Sequence, residues 1–179
     1  QKTAYEIYQC DWSSDVCSSD LFFNIVSRAP LDIGPFGGDG VPFRIMRCHL
    51  KQFPLGNFSQ SVVTAVLEAR PRIGDIDAVD HVDIRVSQKA LNVMADGPDK
   101  WRPRNRETAD HSIPYTAAVA LRYGAVHQRH FDDAHLNDDA LLALVSRMRC
   151  SASDEANARS AEFNLCELDV VLKSGERTS

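Results

Sequence analysis

The sequence SIPYTAAVALRYG, residues 112–124, predicts the helix around which the fold is built. Ser112 is a residue type that accepts hydrogen bonds from the first amides of a helix, and Pro114 is tolerated in a first turn. Leu121 and the alanines before it give an apolar helix whose small side chains favour close packing. Gly124 is the residue type at which helices commonly end. We therefore predict a helix that begins near Ser112 and stops at Gly124.

Alternation of apolar and charged side chains predicts strands. The run Val-Asp-Ile-Arg-Val at residues 82–86 has the period of two that is typical of a strand with one face on a core. The run Cys166–Leu172 alternates in the same way, and Lys173–Glu176 reads as a turn whose hairpin partner is expected to lie beyond Ser179. Two further runs, Phe43–Leu50 and Arg149–Ser153, are also predicted as strands.

Two more helices complete the predicted elements. Asn57 is a favourable N-cap for a helix with one apolar face, which must end before Pro71. Residues 137–139, Asn-Asp-Asp, cap another helix whose apolar side extends to Met148. The long polar or glycine-rich and proline-rich stretches read as loops: 22–42 and 96–109.

The order of these elements is strand, helix, strand, helices, strand, strand. A strictly alternating order would indicate a parallel α/β sheet, whereas this one does not alternate. We therefore predict an α+β fold with helices packed on one face of a mainly antiparallel sheet.

Residues 1–21, QKTAYEIYQCDWSSDVCSSDL, are expected to be foreign to the natural protein. They have no helical or strand period and no signal-peptide shape. They resemble the in-frame translation of both constant halves of a short-read sequencing adapter, with a short index at Tyr8 and Gln9. The alternative is a disordered natural tail. On the adapter interpretation, residues 1–21 make few contacts, and residues 22–179 are a partial domain truncated at both ends.

Charge and cysteine usage narrow the class of protein. Residues 1–21 hold one of the 20 Lys and Arg and four of the 25 Asp and Glu, so 19 basic and 21 acidic residues remain, a net charge of −2. Scattered basic residues argue against a nucleic-acid partner, and no apolar run approaches the roughly 20 residues of a membrane span. Cys48, Cys150 and Cys166 lack CxxC spacing. This disfavours a disulfide framework or zinc site and indicates a reducing cytoplasm.

The densest group of potential metal ligands is His127, His130, Asp132, Asp133 and His135. Imidazole and carboxylate groups bind zinc or iron, and the spacing of the first two histidines could place both on one helical turn. The pattern lacks HExxH spacing and lies among polar residues. We interpret it as a polar connection between helices and predict no metal.

Lys51 is the first candidate for binding an anionic small molecule. It precedes an aromatic-proline step and a helix N-terminus, so its ammonium and the amides near Ser59 and Gln60 could together bind a carboxylate. The alternative is a solvated lysine at the end of a strand.

The second candidate is the start of the helix at Ser112. Three arginines precede it in the sequence, followed by His111. Cationic side chains at a helix N-terminus suit a polyanionic acid, although a histidine there can also be a capping or surface residue. The arginines are Arg102, Arg104 and Arg106.

These residues belong to a run that resembles a known family. KWRPRNRETADHSIPY, residues 100–115, followed by TAAVALRYG, is similar to the RETADHS-x-PY signature of the MmgE/PrpD family. LKQFP at residues 50–54 and SQSVVTAVLEAR at residues 59–70 resemble the family's K-x-(F/Y)-P…SQ stretch. The leucine-rich third helix and LDVVLKSGE, residues 168–176, also resemble the corresponding segments of the family. The resemblance covers essentially all of residues 22–179.

The resemblance implies the smaller lid of a two-domain cytoplasmic lyase, with its active site between the lid and a large helical domain, and with no cofactor. The implied reaction is dehydration of a 2-methylcitrate-type tricarboxylate by an enzyme that is a homodimer at full length. Matched to the family motifs, Lys51 reaches the substrate carboxylates, and His111 and Ser112 stand at the signature's helix start. Many members have a histidine where this chain has Asn57 and Phe58, which leaves the exact substrate open.

Two alternatives accompany this implied function. Within the family, the reaction is decarboxylation of cis-aconitate, or isomerisation or epimerisation of a related polycarboxylate. In a different class, the chain is a substrate-binding or dimer-supporting lid without catalysis. The family's principal acid and base residues come from the helical domain, so we expect this chain alone to be inactive.

Overall fold

The computed structural model describes Arg28, residues 36–48 and residues 50–178. The prediction for residues 1–21 lies outside these described residues. The chain divides into two units at His49 and Leu50, and each unit is described by itself.

The described part of the first unit contains a short helical turn. Residues Arg44–Arg47 form a 3-10 helix, and Gly38 and Val41 form an isolated β-bridge. The predicted strand Phe43–Leu50 is therefore wrong. Ile45 and Met46 are 74% and 77% exposed, so this apolar run is not one of the sheet's strands. A short apolar run has no strand geometry of its own unless a partner strand completes its hydrogen bonds.

The second unit is built on a four-stranded sheet. Its strands are β1 (Val79–Val86), β2 (Met148–Ala152), β3 (Glu167–Leu172) and β4 (Arg177–Thr178), in the order β2-β1-β3-β4. Strands β1 and β2 pair in parallel, whereas β1 with β3 and β3 with β4 are antiparallel pairs. The mainly antiparallel sheet predicted from the sequence is confirmed.

The central strand β1 shows the predicted alternation. Val82, Ile84 and Val86 are buried, and the residues between them are half-buried. Arg85, on the polar face, donates to Glu167 Oε2 at 3.0 Å and to Asp169 Oδ2 at 2.8 Å on β3. One face of β1 therefore joins the core, while the other carries ion pairs across the strands.

Eight α-helices are present in the described residues. They are α1 (Ser59–Ala69), α2 (Gln88–Met94), α3 (Pro98–Trp101), α4 (Arg106–Asp110), α5 (Ile113–Tyr123), α6 (Asp133–Leu136), α7 (Asp139–Val145) and α8 (Asp154–Ala158). The longest two, α1 and α5, pack against each other, and α7 packs on α5. The α+β class is thereby confirmed.

Helix α5 occupies the centre of the core, as its sequence predicts. Its residues from Ile113 to Leu121 are all buried. Ser112 accepts a hydrogen bond from the Tyr115 amide at 3.1 Å, and Gly124 ends the helix in the left-handed conformation. The small side chains allow neighbouring helices to approach this helix on several sides.

The sequence interpretation differs from the structure at three helix boundaries. Helix α1 begins at Ser59 after Phe58 and has no side-chain cap, so Asn57 is not its N-cap. Met148 begins strand β2 and does not extend α7. The predicted polar loop 96–109 is wrong, because it contains α3 and α4. Asn105 caps the second of these helices by accepting from the Thr108 amide at 2.8 Å.

Helix α2 and strand β4 complete the fold. Helix α2 was not predicted, although Ser87 caps it by accepting from the Ala90 amide at 3.3 Å. The hairpin partner that was expected beyond Ser179 begins within the chain, because Arg177–Thr178 form the short strand β4 and pair with β3. Among the described residues, no helix combines the length and apolar composition that crossing a membrane requires.

Gly124 gives a testable consequence of this packing. Its φ is +65°, and an added Cβ would lie 3.0–3.2 Å from the Arg70 guanidinium, which itself donates to the Leu121 carbonyl at 2.8 Å. Gly124→Ala is expected to lower the free energy of unfolding by about 1–2 kcal/mol in urea denaturation. Gly74→Ala is the control, because no heavy atom lies within 4 Å of its added Cβ. Equal stability of the two variants would contradict this account of the helix end.

Candidate functional site

A cleft of about 490 Å³ brings together two of the residues singled out from the sequence. Lys51 lies in its wall on the loop before α1, and His111 lies in its wall at the end of α4. This volume is within the range of small-molecule sites. The lining residues are Lys51, Gln52, Phe53, Pro54, Leu55, Asp110 and His111. We call this the Lys51 cleft.

The side chain of Gln60 shapes the loop that carries Lys51. Its Oε1 accepts from the Phe53 amide at 3.1 Å, and its Nε2 donates to the carbonyls of Phe53 at 3.0 Å and Leu55 at 3.2 Å. These bonds fold the loop back onto the first turn of α1. Gln60 therefore supports the wall of the cleft, and it is not among the lining residues.

Gly56 joins the two walls of the cleft. Its amide donates to the Asp110 carbonyl at 2.8 Å. An added Cβ at Gly56 would lie 2.5 Å from Met94 Cε and 3.0 Å from His111 Cδ2. A side chain at Gly56 would displace the end of Met94 and press on the imidazole, so the His111 ring is packed closely against the loop.

His111 contacts Asp110 and Glu107 through one ring nitrogen. The Nδ1 atom hydrogen-bonds the Asp110 carboxylate and lies 3.1 Å from the Glu107 carbonyl oxygen. The His111 side chain is 49% exposed, whereas that of Asp110 is 19% exposed. The ring is thus oriented by protein groups on one edge and accessible to a ligand.

Ser112 and Ser59 lie in the interior. Ser112 is fully buried, caps α5 and donates from its hydroxyl to the Lys100 carbonyl. Ser59 is also fully buried at the start of α1, and its Oγ has no hydrogen-bond partner among the described residues. Neither residue lines the Lys51 cleft. Their predicted contacts with substrate stay predictions.

The three arginines that precede α5 in the sequence are exposed and lie outside the lining of the Lys51 cleft. Arg106 begins α4, and Arg102 lies in the wall of another cleft with Trp101 and Asp139. In the structure the cation that shares a cleft with His111 is Lys51, from the loop before α1, and the role predicted for the arginines stays a prediction.

The histidine-rich segment after α5 is partly buried. His130 is 3% exposed, and its ring stacks on Tyr123 at a centroid distance of 4.7 Å. The ring of His135 lies 5.3 Å from that of His130, and His135 Nδ1 contacts Asp132 at 2.7 Å. In the described part of the chain, no group of three or more His, Cys, Asp or Glu is arranged to hold a metal ion. The interpretation as a polar connection missed this burial.

Cys150 and Cys166 do not form a reactive centre. Burial raises the pKa of Cys150 and of Cys166 to about 12, so both thiols stay protonated at neutral pH. A protonated thiol is a poor nucleophile. The chemistry that this part of the chain offers is therefore that of a lysine and an oriented histidine in an open cleft.

Asp110 is the residue of this cleft that sequence reasoning missed. It lies within the RETADHS run, directly before His111, but adjacency in sequence does not reveal that its carboxylate contacts the Nδ1 atom. Gly56 was missed as well, because it lies against Met94 of α2, a helix that was not predicted.

One comparison with known proteins bears on this arrangement. The model of the MmgE/PrpD C-terminal domain matches residues 53–179, which is more than half of the chain. The match includes His111 and the helix that follows it, and it begins just after Lys51. Five of the seven residues that line the Lys51 cleft lie within the matched region, whereas Lys51 and Gln52 directly precede it.

Proposed function

The chain belongs to the MmgE/PrpD family of dehydratase-like and decarboxylase-like enzymes, and from this premise we propose that it binds a 2-methylcitrate-type tricarboxylate in the Lys51 cleft. The matched region is a C-terminal domain, so the activity belongs to an enzyme in which this domain is one part. The reaction is dehydration, a carbon–oxygen lyase reaction. The observation that carries the proposal is the shared cleft of Lys51 and His111.

The cationic group suits the charge that develops in this reaction. A base removes a proton next to a carboxylate while the hydroxyl departs with assistance from an acid, and negative charge builds up on the carboxylate. The ammonium of Lys51 binds that carboxylate and stabilises the charge. Lys51 is a binding and stabilising residue and not the sole base.

Gln60 and Ser112 support the cleft from behind. Gln60 fixes the Phe53–Leu55 loop through its amide group, and Ser112 fixes the start of α5 next to His111. We propose that both act by positioning, with Ser59 beneath the loop at the start of α1. Substrate contact is assigned to Lys51 and His111, whose side chains line the cleft.

The family resemblance also bears on localisation, oligomeric state and cofactor use. We propose that the enzyme is a cytoplasmic homodimer that uses no cofactor. The described cysteines, with thiols held protonated by burial at Cys150 and Cys166, are compatible with a reducing compartment.

A product assay separates dehydration from the alternatives. The enzyme that carries this domain is incubated with 2-methylcitrate and, separately, with cis-aconitate, and the products are followed by NMR and by release of carbon dioxide. We expect loss of water from 2-methylcitrate. Release of carbon dioxide from cis-aconitate without any dehydration would favour the decarboxylase. The 179-residue chain alone is the matched comparison, and we expect it to give no turnover.

A further inference from the structure

We propose that Asp110 is a positioning residue that fixes the tautomer of His111, so that His111 Nε2 accepts a hydrogen bond from the hydroxyl of a hydroxytricarboxylate in the Lys51 cleft. The proposal rests on the proposed function and adds a determinant of specificity to it. It assigns recognition of the carboxylate to Lys51 and recognition of the hydroxyl to His111.

The two groups around Nδ1 determine where the proton lies. The Asp110 carboxylate and the Glu107 carbonyl both contact this nitrogen, and both are hydrogen-bond acceptors. Neither can donate a proton to Nδ1, so Nδ1 must carry the hydrogen. In a neutral imidazole the other nitrogen, Nε2, is then an acceptor.

Packing keeps the ring in this orientation. A flip of the imidazole would exchange Nδ1 with a ring carbon and break both hydrogen bonds. Gly56 lies near the opposite edge of the ring, where an added Cβ would be 3.0 Å from His111 Cδ2. The Asp110 backbone is itself fixed by the Gly56 amide at 2.8 Å.

The remaining ring nitrogen is available to a ligand. Nε2 of His111 has no hydrogen-bond partner among the described residues, and the half-exposed ring lines the same cleft as Lys51. A carboxylate cannot donate to this nitrogen, but a hydroxyl can. An acid that lacks the hydroxyl therefore leaves Nε2 unpaired, and sites that hydrogen-bond a hydroxyl discriminate against analogues without it.

Citrate and propane-1,2,3-tricarboxylate test the proposal, because both carry three carboxylates and only citrate has the hydroxyl. Their binding to the 179-residue chain is measured by calorimetry at about pH 8, where ordinary imidazole is neutral. We expect citrate to bind about tenfold more tightly, the value of one hydrogen bond. Asp110→Asn and His111→Ala should both bring this ratio close to one, whereas Asp133→Asn, at an exposed carboxylate outside the cleft, should leave it unchanged.

A second measurement reports the tautomer without any ligand. Nitrogen-15 chemical shifts of the His111 ring distinguish hydrogen on Nδ1 from hydrogen on Nε2. We expect the Nδ1–H form in the unaltered chain and a shift away from it in Asp110→Asn. A purely structural role of Asp110 would leave the tautomer unchanged.

The outcomes separate this proposal from the proposed function. An Nε2–H tautomer in the unaltered chain, or equal affinity for the two acids, overturns the role of Asp110 and His111 while the Lys51 cleft stands. Absence of tricarboxylate binding, or binding that Lys51→Ala does not weaken, contradicts the cleft itself and with it both proposals.

Discussion

Replacement of Lys51 by alanine is expected to lower kcat/KM for 2-methylcitrate by about two orders of magnitude or more in the enzyme that carries this domain. The physical reason is the loss of a fixed positive charge next to a carboxylate that gains negative charge in the transition state. Lys51 lines the cleft with the half-exposed His111, so the ammonium and the imidazole are presented to the same ligand. Steady-state kinetics at several substrate concentrations measure the effect.

The separate changes in kcat and KM show whether Lys51 stabilises the transition state or only binds the substrate. If the ammonium stabilises mainly the transition state, kcat falls together with kcat/KM, whereas loss of plain substrate binding raises KM alone. Lys89→Ala is the matched control, because Lys89 is exposed on α2 and does not line the Lys51 cleft. Unchanged kinetics in Lys51→Ala would make Lys51 a solvated surface residue, which is the alternative that its sequence position allows.

The parts of the fold that were predictable are those in which one local signal agrees with burial. Strand β1 alternates because one face is buried, and α5 has both a capping serine and a terminal glycine. Such signals depend on neighbouring residues along the chain, so sequence alone reveals them.

The predictions of secondary structure that were wrong concern elements that depend on tertiary contacts. Phe43–Leu50 has strand-like composition, but pairing partners and burial are tertiary properties that composition does not encode. Helices α3 and α4 are only four and five residues long, too short to show a period, and they are stabilised by Pro98 at the first position and by the Asn105 cap. Short elements of this kind depend on packing more than on pattern.

In the candidate site, too, the sequence identified individual residues but not their placement relative to one another. The sequence identified Lys51 and His111 separately, each with different supposed neighbours, and only the fold places them in one cleft. Gln60 and Ser112 were predicted as ligands of substrate because they lie at helix starts. In the structure their polar atoms hydrogen-bond protein groups, which is the commoner use of such residues at a helix terminus.

His130 is expected to make the protein lose stability in mild acid. Burial is the main cause that lowers its pKa to about 4, and the nearby His135, Arg129 and His127 lower it further. Its Nδ1 accepts from the His127 amide at 3.2 Å, a bond that a protonated ring could not form. The folded state therefore holds this imidazole neutral, against Tyr123 on one face.

The sign of the effect follows from proton binding. In the unfolded chain His130 takes up a proton as the pH falls below about 6.5, while the folded chain does not until about pH 4. The free energy of unfolding should be flat above this window and should fall within it by about 1.4 kcal/mol per pH unit, or about 3 kcal/mol in total.

Carboxylates act in a different range and do not obscure this window. Hydrogen bonds from His135 lower the pKa of Asp132, and hydrogen bonds from Ser153 and Arg85 lower that of Glu167. Groups of this kind stabilise the fold above their unfolded values of 3.8 and 4.5, and that contribution is lost only as the pH falls through and below them. Between pH 4.5 and 6.5 the expected loss therefore comes from histidine.

Urea denaturation at a series of pH values measures this dependence, and His130→Asn identifies its source. The variant is expected to be less stable at neutral pH, because it loses the stacking on Tyr123, but its stability should vary much less between pH 6.5 and 4.5. His127→Gln should retain most of the dependence of the unaltered chain, because His127 is exposed and burial, not His127, is the main cause that lowers the pKa of His130. A slope in His130→Asn as steep as that of the unaltered chain would show that His130 is protonated in the folded state, and that its burial at 3% exposure does not exclude the charge.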